Sequence, residues 1–116
     1  ITSSGFQAQH SESGTTEISY ESGSDQANGT AFQKISHEIG NGNDECCSGC
    51  LHLFNPSSTT FVTHYLSKFN AYRYNNFSQV HYSAGYFNTT SAIDEIQFKM
   101  SSGEIQGGTI SLYGIS

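Results

Sequence analysis

The chain has 116 residues, a formal net charge of −6 and only four basic residues, and charged side chains make up 12% of it. That length suits one domain with a modest core. Four cations cannot neutralise a run of phosphates, and no stretch approaches 18 apolar residues, so nucleic-acid binding, docking on an anionic membrane and a bilayer-spanning segment are all disfavoured.

Hydrophobic residues make up 34%, with eight Phe, seven Tyr and no Trp. Such aromatics favour pleated surfaces and bury much area each, which points to an all-β chain with a hydroxyl- and amide-rich exterior. Seven of the ten carboxylates fall in residues 1–50, against Lys34 alone. The first residue is Ile1, with no charged-then-apolar leader after it, and it reads as the visible start of a longer chain or the product of a cleavage.

Residues 1–30 are rich in Ser, Gly, Thr and Gln. Weak alternation at Phe6–His10 and Ile18–Tyr20 predicts two strands, the other reading being a flexible polar arm. Phe32, Ile35 and Ile39 fit a short helix as well as an irregular strand, and Gly40 to Asp44 breaks either. Cys50–Phe54 reads as a strand, Asn55–Ser58 as a turn set by Pro56, and Thr59–Leu66 as a strand apolar on both faces. Asn70–Ser78 reads as a loop. Gln79–Phe87 follows as a strand with Val80, Tyr82, Ala84 and Tyr86 on one face. After a turn at Asn88–Ser91, Ala92–Met100 alternates Ile96, Phe98 and Met100 against Glu95, Gln97 and Lys99. Turn residues at Ser101–Gly103 and a break at Gly107-Gly108 precede Thr109–Ile115, where Ile110 and Leu112 return on one face. This closing hairpin is expected to supply core. Strand signals separated by turns over the whole chain predict one domain, 1–116, built as an antiparallel β-sandwich.

Chemistry-bearing residues are sparse. Cys47-x-x-Cys50 has the spacing that lets two thiolates grip a tetrahedral zinc, with His52 as a third ligand, and His10, His37, His64 or Asp44 would have to complete the site. A tight disulfide or free thiols are the competing readings, and free thiols lead. Asp44-Glu45 and Asp94-Glu95 are the paired carboxylates, but neighbours on a strand face opposite ways and neither pair can flank a glycosidic bond alone. No Gly-x-Ser-x-Gly elbow accompanies the five histidines. Asn-x-Ser/Thr sequons at Asn28, Asn76 and Asn88 arise readily in this composition. Tyr72-Arg73-Tyr74-Asn75-Asn76 combines aromatic faces with amides, and is the best local candidate for a glycan, receptor or subunit contact. No cofactor is implied, and the chain reads as non-enzymatic.

The runs Leu51-His52-Leu53-Phe54-Asn55-Pro56-Ser57-Ser58-Thr59-Thr60-Phe61-Val62 and Gly85 to Gly103, closing on Gly108-Thr109-Ile110-Ser111-Leu112-Tyr113-Gly114-Ile115, resemble virion structural proteins of tailed bacteriophages, marine and cyanobacterial ones above all. The resemblance covers residues 45–116 well and the N-terminal part loosely. The Cys46-Cys47-x-x-Cys50 cluster lies outside the shared pattern, and members of the family tend to carry further strands upstream. The resemblance implies a jelly-roll type β-sandwich on the exterior of a virion, as capsid decoration or tail fibre. Its implied partners are other copies in a symmetric oligomer and other virion proteins. Because the shared motifs are structural, they imply a fold and a particle more firmly than a role. A tail-fibre adhesin for host-surface carbohydrate, acting through Tyr72–Asn76, is the alternative. A small glycoside hydrolase using Glu95 is a third.

Overall fold

A computed structural model describes residues 1–115. The described residues hold five strands and no helix: β1 (Thr2–Ser11), β2 (Thr16–Tyr20), β3 (Cys47–Phe54), β4 (His64–Arg73) and β5 (Phe77–Tyr86). They form one antiparallel sheet in the order β2-β1-β5-β4-β3.

Local chemistry explains the turns. Between β1 and β2 the chain reverses at Gly14, whose φ of 95° suits glycine. There the Ser11 hydroxyl accepts from the Thr15 amide at 2.9 Å. Tyr74–Asn76 joins β4 to β5, and Asn76 sits at φ 62° with its N–H donating to the Arg73 carbonyl at 3.0 Å. A three-residue hairpin loop ending in a left-handed residue matches strand twist, and Asn tolerates that conformation better than most residues. Between β3 and β4, Asn55 adopts φ 51°, and the Ser58 hydroxyl accepts from the amides of Thr60 and Phe61.

The β2–β3 connection shapes the molecule. These two strands are opposite edges of the sheet, so residues 21–46 must cross one of its faces. Along the way the linker bridges Gln26 to Ser3 and Ile39 to Arg73. Gln33 accepts from the Ser3 hydroxyl at 2.8 Å, and the Gly40 amide donates to the Tyr72 carbonyl at 3.0 Å. Beneath it lie Gln7, Gln9 and Ser11 of β1, Tyr65, Ser67 and Ala71 of β4, and Gln79, His81 and Ser83 of β5, all buried.

The covered face is therefore mainly polar, and its groups bond one another. The Gln79 amide donates to Gln7, Gln9 donates to Glu17, the Arg73 guanidinium donates to Gln9, and Tyr65 shares a bond with Ser83. Buried amides and hydroxyls persist only with such partners. Val80, Tyr82, Ala84 and Tyr86 do share a face, as their spacing predicts, but it is the opposite, uncovered one.

Several predicted elements move. The strand expected from Thr59 begins only at His64, and the preceding residues form the β3–β4 connection. The loop expected at Asn70–Ser78 shrinks to Tyr74–Asn76, because β4 and β5 pair to within one turn of each other. Phe32–Ile39 is neither helix nor strand, apart from the single bridge at Ile39.

The closing hairpin is the largest departure. Residues 87–115 carry no strand; Ile96, Ile110 and Leu112 are exposed, the last two by 64% and 88%, while Phe98 and Met100 are half-buried. The chain leaves β5 toward the β3–β4 connection, where the amides of Phe87 and Ile93 donate to the carbonyls of Thr63 and Pro56. Lys99 then rests over the Phe32 ring at 4.3 Å. On this course Ala92–Met100 pairs with neither edge strand of the sheet. Alternation specifies which side chains want cover, but a strand also needs a neighbour's backbone groups. The architecture is thus a single antiparallel sheet with one face covered by linker.

Candidate functional site

The uncovered face collects the side chains best placed to meet a partner. The register sets Tyr20, Phe6, Tyr82, Lys68 and Cys50 in one row across all five strands. Phe6 and Tyr82 stack at 4.9 Å with their planes 15° apart, and the Lys68 ammonium lies 5.6 Å from the Tyr82 centroid. A second row runs Thr2, Tyr86, His64 and Phe54, with His64 and Tyr86 at 5.8 Å. Ser4, Ala84, Leu66 and His52 lie between the rows. A shallow depression of about 390 Å³ opens beside Thr2, Ser4, His64 and Tyr86.

At the other end of the sheet, a cleft of about 370 Å³ is lined by His10, Glu12, Asn70, Tyr72, Asn76 and Ser78, among others. The Tyr72 hydroxyl donates to Asn76 at 3.2 Å and reaches Glu12 at 3.5 Å. The Glu12 carboxylate, followed by partial desolvation, raises the pKa of that phenol.

Of the five residues predicted as a contact loop, only Tyr74, Asn75 and Asn76 form the turn, and Tyr72 and Arg73 end β4. Tyr74 is exposed. Arg73 is occupied within the fold: it pairs with Glu38, bonds Gln9 at 2.9 Å and lies 5.3 Å from the Tyr74 centroid and 5.8 Å from that of Phe77.

The cysteines are exposed free thiols. Cys47 pairs in register with Ala71 and Cys50 with Lys68, so the two point to opposite faces of the sheet. A Cys-x-x-Cys pair grips one metal when a turn brings both thiolates to the same side, and an extended strand cannot do that. His52 shares Cys50's face, where it stacks on Phe54 at 6.4 Å. No group of three His, Cys, Asp or Glu among the described residues is placed to hold a metal. Burial, with Cys46 adding to it, raises the pKa of the Cys47 thiol.

Glu45 accepts from the Gly42 amide and so stabilises its own turn, while Asp94 and Glu95 lie exposed on the unpaired C-terminal segment. The most enclosed titratable group is His81, 1% exposed, with neither ring nitrogen hydrogen-bonded and the His37 ring 6.2 Å away. Its burial lowers its pKa below the ordinary 6.5. Its place in a strand signal does not by itself set it apart from the other histidines. The available signal was the polar alternation Gln79-x-His81-x-Ser83, which mirrors Gln7-x-Gln9-x-Ser11.

No protein-family model, no curated protein and no solved structure matches the chain.

Proposed function

We propose that the chain is a non-enzymatic structural protein of a bacteriophage particle, displayed on the exterior as capsid decoration or fibre component. It works through contacts with copies of itself and with other virion proteins. The observation that carries this reading is the C-terminal segment. Ile105, Ile110, Leu112, Tyr113 and Ile115 are all exposed, from 51% to 91%, in a chain otherwise sparing with apolar residues. Clustered exposed apolar side chains mark a surface that another protein covers. The resemblance of this same stretch to phage virion proteins supplies the setting. On this reading the jelly-roll sandwich is completed on assembly, with Ala92–Met100 and Thr109–Ile115 pairing as strands against a neighbouring copy. Exposed sheet edges such as those of β2 and β3 accept such added strands.

Light scattering on the purified chain tests the assembly. A defined oligomer is expected, and Ile110→Asp with Leu112→Asp should return it to monomer. An oligomer indifferent to both substitutions refutes the role of the segment. Mass spectrometry of whole particles tests the setting, because a virion protein must be present there at fixed copy number. The adhesin reading through Tyr72–Asn76 is weakened by the commitment of Arg73 to Glu38 and Gln9.

A further inference from the structure

We infer that the uncovered face of the sheet is the surface on which the C-terminal segment of a second copy docks. This inference rests on the reading of that segment as an assembly contact, and it names the surface that the segment meets. Three observations carry it.

The first is where the exposed apolar groups lie. Among the described residues, fourteen large hydrophobic side chains are exposed. Five of them, Phe6, Ile18, Tyr20, Phe54 and Leu66, belong to the uncovered face, and six lie between Ile96 and Ile115. Only three fall elsewhere, so one chain carries two apolar surfaces that each want cover. Apolar burial is non-directional, and rings already stacked on one another, such as Phe6 and Tyr82, still gain from it. A sandwich buries a sheet face under a second layer of strands, and the alternating stretches Ala92–Met100 and Thr109–Ile115 have the pattern of such a layer.

The second is that a chain's own segment is held on the other side. The Ile93 amide donates to the Pro56 carbonyl at 2.7 Å, and Lys99 rests over Phe32 at 4.3 Å. Phe32 belongs to the linker that covers the opposite face, and Ile18 and Leu66 are left 73% and 47% exposed. A second copy presents the same segment from outside, and a twofold exchange covers both faces at once. The areas suffice. Five strands, the longest of ten residues, make a face about 19 Å across and about 33 Å long. A two-strand ribbon covers roughly half of it, about 300 Å² on each partner, and two reciprocal contacts reach about 1,200 Å², where stable interfaces begin.

The third is charge, which permits this pairing where it would oppose most contacts between copies of net charge −6. The five strands hold a single carboxylate, Glu17, and it lies on the covered side, accepting from Gln9 at 2.8 Å. Carboxylates approach the open face only at its margins: Asp25, held by the Tyr20 hydroxyl, and Glu12, beside Tyr72. Residues 92–115 carry Asp94, Glu95 and Glu104 against Lys99, so they meet a face whose one formal charge is Lys68. No like charges are forced together.

The test uses the full chain in sedimentation equilibrium, where the wild type is expected to self-associate. Ile18→Asp with Leu66→Asp, on the face, and Ile110→Asp with Leu112→Asp, on the segment, should each give monomer, with circular dichroism confirming that both fold. Mixed in equal amounts at about 1 mM, the two variants should recover a heterodimer, weaker than the wild-type association because one face–segment pair remains intact. Ile18→Ser with Leu66→Ser should weaken self-association about tenfold or more, and decides the matter should the aspartates unfold the sheet. A monomeric wild type overturns both this inference and the reading beneath it. Segment substitutions that disperse the oligomer while the face substitutions leave it intact overturn this inference alone, because the segment then docks elsewhere. A mixture that stays monomeric overturns it too, since face and segment are then not partners.

Discussion

Acidification should loosen this protein through His81, and the size of the effect follows from the ring's position. His81 is 1% exposed, and neither nitrogen has a partner. Burial is the main cause of its lowered pKa, helped by His37 and Lys34 and opposed by the Ile35 carbonyl and Glu21. The folded protein thus binds fewer protons than the unfolded chain at pH values between the lowered pKa and the ordinary 6.5. Stability conferred by the neutral ring is complete above 6.5 and is lost as pH falls below it, until the folded state also takes up the proton. One proton contributes at most about 1.4 kcal/mol per pH unit, so acidification to about pH 5 removes up to roughly 2 kcal/mol. With an m-value of about 1–3 kcal/mol/M, the urea midpoint should fall by up to roughly 2 M. The assay is urea unfolding followed by tyrosine fluorescence, from about pH 8 to about pH 5, for the wild type and His81→Leu. Contributions common to the two proteins cancel in the difference. The wild type should lose more stability on acidification than the variant. Parallel pH profiles would refute the reasoning, since they would mean that the folded interior holds the imidazolium as readily as water does.

Other predictions rest on single contacts. Tyr65→Phe removes the buried 2.8 Å bond to the Ser83 hydroxyl and should cost about 1–2 kcal/mol, read as a shift in urea midpoint. Gly85→Ala puts a methyl against the Thr2 carbonyl and within 2.8 Å of the Ser3 Cα, and should destabilise the β1–β5 seam by about 1–3 kcal/mol. A wild-type midpoint in that variant would mean that the two strands sit farther apart. Cys46, Cys47 and Cys50 should all react with Ellman's reagent without denaturant, Cys47 the slowest near neutral pH because its thiol is held protonated. Fewer than three reactive thiols in the native protein would contradict their exposure.

The strands were legible in the sequence where turn chemistry bounded them. Phe6–His10, Ile18–Tyr20, Cys50–Phe54 and Gln79–Phe87 each fall largely within an observed strand, and the turn at Asn76 has the residue its φ demands. Burial was less legible. Tyr82 and Ile18 look like core residues, yet the side of a sheet that becomes interior depends on which face a connection crosses. Here the crossing segment is residues 21–46, and the glutamines beneath it, Gln7, Gln9 and Gln79, are satisfied by one another, Glu17 and Arg73. The C-terminal alternation misled for a related reason: Ile110 and Leu112 share a face, but nothing in their spacing says whose sheet covers it. At the candidate site, the row of Lys68, Tyr82 and Phe6 exists only through cross-strand register, which no local pattern encodes. The Cys47/Cys50 spacing was visible, and the strand around it removed its meaning.

The pairing of β1 with β5 also governs the order of folding. Thr2 lies opposite Tyr86, so this seam closes a loop of more than half the chain, whereas β1–β2, β3–β4 and β4–β5 join successive strands. Local hairpins form in microseconds, and a contact across such a long loop comes late. During synthesis the β1–β2 hairpin emerges first and waits, one edge bare, until β5 has followed it. In that interval the β5 of another nascent chain is as good a match as its own. Rapid expression should therefore yield exchanged dimers, with the N-terminal hairpin of each molecule seated in the sheet of the other, and dilute refolding should yield fewer.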